Sequence, residues 1–134
     1  SMTTLYHYFS RLEDTLLSRQ EMDVQKVSID QDKPDNDQGE FQANINFYDQ
    51  SSLKAFERVS LENGEIVKDD YSYHYQKSDN SLVFRYDNAP HHPEIETHPH
   101  HKHVGSDENV IAAQPPDLSD VLNEIDEIIY IQNT

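Results

Sequence analysis

The fold is decided by residues 53–76, Leu53-Lys-Ala-Phe-Glu-Arg-Val-Ser-Leu-Glu-Asn63-Gly64-Glu-Ile-Val-Lys-Asp-Asp-Tyr71-Ser-Tyr73-His-Tyr75-Gln76. Its first part is ambiguous, because Leu53, Phe56, Val59 and Leu61 fit a bulged strand about as well as a helical stripe. Asn63-Gly64 resolves the ambiguity. Both residues tolerate the positive φ of a type I′ turn, so the flanking segments read as the arms of a hairpin. In the second arm Tyr71, Tyr73 and Tyr75 share one face, and Ser72, His74 and Gln76 share the other.

The same period of two extends in both directions. Upstream, Phe41, Ala43, Ile45 and Phe47 alternate with Gln42, Asn44, Asn46 and Tyr48, and Val24 to Ile29 is a shorter strand candidate. Between them Asp30 to Glu40, with Pro34 and Gly39, reads as a turn-rich connection. Downstream, Lys77 to Ser81 makes a turn and Leu82 to Asp87 returns as a strand. The ends are helical. Thr3 or Thr4 caps a first helix running to about Gln20, with Leu5, Tyr8, Phe9, Leu12 and Leu16 on one face. After Pro115 and Pro116, residues 117–130 form an amphipathic helix with Leu118, Val121, Leu122, Ile125, Ile128 and Ile129 inward. The expectation is a single α+β domain over residues 1–134, an antiparallel meander of four to five strands flanked by N- and C-terminal helices.

Composition removes several function classes. The chain has no cysteine, so disulfides, thiolate metal sites and cysteine nucleophiles are excluded. Its three glycines form no phosphate-cradling loop. No apolar run is long enough for a membrane span and no signal peptide is read, so the expected location is the cytoplasm, with no membrane partner. The net charge of −16 disfavours passive binding to polyanions, which requires Lys and Arg against phosphates. A nucleic-acid site would therefore have to be local.

The chemistry concentrates after the last strand. Six of the eight histidines fall between His91 and His103, among Pro90, Pro93 and Pro99, in a histidine- and proline-rich loop over residues 88–104. The prolines fix φ and keep the loop extended. RNA cleavage without a metal needs a base for the 2′-hydroxyl, an acid for the leaving 5′-oxygen and a cation on the phosphorane. His91 or His92 facing His100 or His101 suits the first two roles, and Arg85 or Lys102 the third. Tyr73 or Tyr86 suits base stacking, although the tyrosine stripe reads first as core, and His74 joins the site if its face lies under the loop; Asn88 is a further substrate-binding candidate. The rival reading is a metal such as zinc on His98, His100, His101 and His103, with Asp87, Glu94 or Glu96 completing the set. A third reading has the imidazoles packing on tyrosines with no chemistry. No metal or other cofactor is required by the first of these.

The strings Tyr71-x-Tyr73-His74-Tyr75, Phe84-Arg-Tyr-Asp-Asn-Ala-Pro-His-His-Pro93 and Pro99-His-His-Lys-His103 resemble the TumE-type family of bacterial toxins. The segment Pro115-Pro-Asp-Leu-Ser-Asp-Val-Leu-Asn-Glu-Ile125 is similar to that family's C-terminal helix. The resemblance implies a toxin made beside a cognate antitoxin, with a suspected ribonuclease activity. The alternative is a non-catalytic binding or metal-binding module. RNA is a possible partner, and self-association is left open. The strongly acidic composition departs from the basic character usual in small ribonuclease toxins.

Overall fold

The computed structural model describes residues 4–19, 22–31 and 37–132. Helix α1 (Leu5–Leu17) starts at Thr4, whose Oγ1 accepts the His7 N–H at 3.1 Å, and ends short of Gln20, which lies outside the described residues. Strands β1 (Met22–Asp30), β2 (Gln38–Phe47), β3 (Ser52–Glu62), β4 (Glu65–Gln76), β5 (Leu82–Asp87), β6 (His101–Val104) and β7 (Val110–Ala112) follow, and helix α2 (Leu118–Gln132) closes the chain. The strands pair antiparallel in sequence order, a seven-stranded meander with a helix at each end.

The α+β architecture matches expectation, but the sheet has seven strands rather than four to five. The excess lies at the far edge. Residues 101–104, expected to be loop, form β6, so the loop proper spans 88–100. No proline follows Pro99 until Pro115, so His101 to Val104 have every N–H available for pairing with β5 and β7. Strands of four and three residues carry too little periodicity to announce themselves.

Both helices pack on one face. Leu5, Phe9, Leu12 and Leu16 of α1, with Leu118, Val121, Leu122 and Ile125 of α2, bury against Phe41, Ile45, Leu53, Val59, Tyr73 and Phe84 of the sheet. Phe9 lies so close over Gly39 that a Cβ there would meet its ring at 2.8 Å. β4 carries one extra residue opposite the Arg58–Val59 step of β3. The extra residue lets Lys68 and Tyr71 both face the helices although their numbers differ in parity. Lys68 Nζ donates to the Tyr73 hydroxyl at 2.6 Å and to the Pro116 carbonyl at 2.9 Å. The fully buried Glu57 carboxylate accepts from Tyr73 at 2.6 Å and from Tyr8, with Lys68 Nζ 3.7 Å away. Burial lowers the pKa of Lys68 while the Glu57 charge opposes the shift, as expected of a buried pair kept by mutual charge.

Candidate functional site

The helix-free face is organised by strand register. One cross-strand row runs Asn44, Lys54, His74, Arg85, His103 over β2 to β6. The row beside it runs Gln42, Phe56, Ser72, Asp87, His101. Every pair in these rows is a direct Cα partner, so the chemistry of five strands lies side by side.

At the β2–β4 end the two rows border a depression of about 360 Å³ lined by Gln42, Asn44, Lys54, Phe56, His74 and Arg85, among others. None of its lining residues is a carboxylate, on a chain of net charge −16. His74 Nε2 donates to Gln76 Oε1 at 3.1 Å, which leaves Nδ1 as the acceptor facing Arg85 Nη1 at 3.4 Å. Burial first, and then the Arg85 and Lys54 charges, lower the His74 pKa against the opposing Gln76 hydrogen bond. His74 is thus a neutral imidazole wedged between two cations at pH 7.

Asp87 anchors the other end. Its Oδ2 accepts from Arg85 Nε at 3.1 Å and its Oδ1 from the Ala89 N–H at 3.0 Å. His101 Nε2 lies 3.0 Å from Oδ1, and His103 Nε2 lies 3.3 Å from Oδ2. Both rings are buried. The loop returns His92 onto them, with ring centroids 4.9 Å from His101 and 5.8 Å from His103.

Of the expected catalytic set, Arg85, His92 and His101 come together, and Lys102, His100 and His91 do not join them. Lys102 faces the helices, where its Nζ donates to Glu124 Oε2 at 2.7 Å. The alternation of β6 puts it on the opposite face from His101 and His103, which loop logic did not foresee. His100 stacks on Tyr71, its Nδ1 2.9 Å from that hydroxyl, and burial lowers its pKa before the His101 and Lys68 charges add to the shift. His91 stands exposed in the turn after Asp87, its backbone N–H on the Ala89 carbonyl.

The expected substrate-binding residues also divide. Tyr73 is fully buried in the core, and Tyr86 donates to Glu124 Oε1 at 2.6 Å on the helix side, so neither ring faces the depression. Asn88 holds the β4 bulge, with its Nδ2 donating to the Asp69 carbonyl and its Oδ1 accepting the Tyr71 N–H. Only His74 is in place. The four histidines of the metal alternative do not converge either: exposed His98 has Nδ1 3.1 Å from the His92 carbonyl, and His100 is held by Tyr71. Among the described residues, His92, His101 and His103 are the imidazoles whose donor atoms lie within 4.8 Å of one another. Lys54, Phe56, Gln42 and Asn44 were missed, since only register brings them beside Arg85.

A larger groove of about 430 Å³ lies between α2 and β2, lined by Met22, Phe47, Ile129 and Tyr130, with Arg19 and Asp126. It holds no imidazole, and its Arg19 is already engaged by Asp126 and by Asn123. Among the described residues no helix is long and apolar enough to cross a membrane.

No curated protein and no solved structure matches the chain. A family model does: that of toxin TumE covers residues 13–129, from the middle of α1 through most of α2. That span takes in the whole sheet, the histidine loop and Asp87, and the chain therefore belongs to the TumE toxin family.

Proposed function

We propose that this TumE-family chain is the toxin of a toxin–antitoxin pair, and that it acts on RNA at the helix-free face of its sheet. The observation that carries the reading is the carboxylate-free depression holding Lys54, His74 and Arg85 on an otherwise acidic protein. An anion seated there would meet the Lys54 ammonium and the Nη groups of Arg85, whose Nε is held by Asp87. Phe56 offers a half-buried ring for stacking on an unpaired base, and the Gln42 and Asn44 amides offer donors and acceptors to base edges. The fit is to one or two phosphates of a single strand, and not to a broad basic footprint.

The chemistry proposed is transfer within the RNA itself. Neutral His74 takes the 2′-hydroxyl proton, the 2′-oxygen bonds to phosphorus, and Arg85 balances the charge that grows on the phosphorane. The bond from phosphorus to the 5′-oxygen breaks, and that oxygen takes a proton from water. The products are a 2′,3′-cyclic phosphate and a 5′-hydroxyl. A metal-activated water would instead hydrolyse the linkage directly and leave no cyclic phosphate.

The test is expression followed by end-group analysis. The reading expects growth arrest by the unaltered chain, relief by Arg85→Gln or His74→Ala, and cyclic-phosphate ends on RNA cut by purified protein. Growth arrest undiminished by both substitutions would remove this face from the toxic activity.

A further inference from the structure

We infer that His92, His101 and His103 form a site for a single divalent transition-metal ion, zinc by chemistry, with the Asp87 carboxylate beside it. The inference stands on the geometry of three rings and does not depend on the RNA reading. His101 Nδ1 lies 2.9 Å from the Pro99 carbonyl, and His103 Nδ1 lies 2.9 Å from the Asp107 carbonyl. A carbonyl oxygen only accepts, so both Nδ1 atoms carry a proton and Nε2 is the atom each ring turns toward Asp87. The two Nε2 atoms lie 3.0 and 3.3 Å from its carboxylate. The third ring is held more loosely, with His92 Nδ1 3.4 Å from the exposed Glu94 Oε1. A ring N–H on a carbonyl or carboxylate, with the other nitrogen turned inward, is how metal-binding histidines are oriented.

One ion can take all three imidazoles at once. Ligand atoms at tetrahedral angles around zinc lie about 3.3 Å apart, and the imidazole centroids behind them about 5 Å apart. The observed ring spacings of 4.9, 4.9 and 5.8 Å approach the second value, with donor atoms within 4.8 Å of one another. An all-imidazole set beside one carboxylate, without thiolate, suits zinc, nickel or copper over magnesium or calcium. Because His92 comes from the 88–100 loop and the other two from β6, the ion would fasten the loop to the sheet edge.

The experiment uses tag-free full-length protein, stripped with a chelator, dialysed and titrated with zinc by calorimetry and with cobalt(II) by absorption. The expected result is one ion per chain, the intense visible bands of four-coordinate cobalt, and a higher melting temperature with zinc. His101→Ala and His103→Ala should lose binding. Since both are buried and the variants could fail to fold, His92→Ala carries the decision from its half-buried loop position. It should keep the fold and weaken zinc binding by at least the roughly 10–100-fold that loss of an outer partner alone produces. A His98→Ala/His100→Ala double variant should bind as the parent does. No binding by folded parent protein, undiminished binding by His92→Ala, or binding lost in the double variant would each overturn the assignment. Nucleotide end groups are not read in this experiment, so its failure leaves the RNA proposal standing, and the reverse holds.

Discussion

His74 is the residue on which the proposed chemistry turns, because register places its neutral imidazole between Lys54 and Arg85. Its protonation is disfavoured in the folded chain, by burial foremost, so its pKa lies below 6.5. The acid limb of kcat/KM for RNA cleavage should therefore inflect below about 6.5, the ordinary imidazole value, and a pH profile checks it. The same shift has a sign for stability. The unfolded chain takes up this proton at higher pH than the folded one, so stability is complete above the unfolded pKa and falls as pH drops from there towards the folded pKa. His74→Ala should remove that acid limb and lower kcat by about 10²–10⁴-fold, the usual contribution of a positioned base. Phe56→Ala should weaken binding of a short single-stranded RNA by about 1–3 kcal/mol if its ring stacks on a base, measured by fluorescence anisotropy. None of these pairings could be seen along the chain. His74 was noticed because it lies beside the tyrosine stripe, whereas Lys54 and Phe56 looked like ordinary surface and stripe residues until the β3–β4 pairing set them next to it.

At the scale of elements, the contacts between helices and sheet are specific enough to test. Gly39→Ala would drive a methyl into the Phe9 ring, at 2.8 Å from Cε2, with the Asp30 carbonyl 3.1 Å away on the partner strand. The expected cost is about 1–3 kcal/mol by denaturant unfolding, the range for overpacking, with Phe9→Leu in the same chain recovering part of it. Glu57→Ala should cost about 3–5 kcal/mol, since it leaves Lys68 buried without its carboxylate and two tyrosine hydroxyls without their acceptor. These elements were largely legible in the sequence. Alternation at Phe41 to Phe47 and Tyr71 to Tyr75 and the Asn63-Gly64 turn fixed the central strands, and capping and 3.6-residue periodicity fixed both helices. β6 and β7 were not legible, because three or four residues hold no period and the histidine content of β6 suggested a loop. That miss carried the site with it. Once His101 to Val104 is a strand, Lys102 must leave His101 and His103 for the opposite face, where Glu124 holds it.

For the whole molecule, 26 acidic residues against 10 basic keep the long-range potential negative, and the helix-free face of the sheet holds a small depression lined by Lys54 and Arg85 and by no carboxylate. RNA binding through Lys54 and Arg85 alone should have a shallow salt dependence, a slope of log K on log salt of about −1.4 for two single-strand phosphates. A steep slope would require more cations than this face supplies. The acidic exterior also suits a basic antitoxin segment, in keeping with membership of a toxin family. The most direct measurement is end-group analysis of a defined single-stranded RNA incubated with purified parent protein and with Arg85→Gln. Cyclic-phosphate and 5′-hydroxyl ends from the parent, greatly reduced with the variant, are the predicted result. Equal cleavage by both proteins, or 5′-phosphate ends from the parent, would contradict an imidazole-and-guanidinium ribonuclease on the helix-free face.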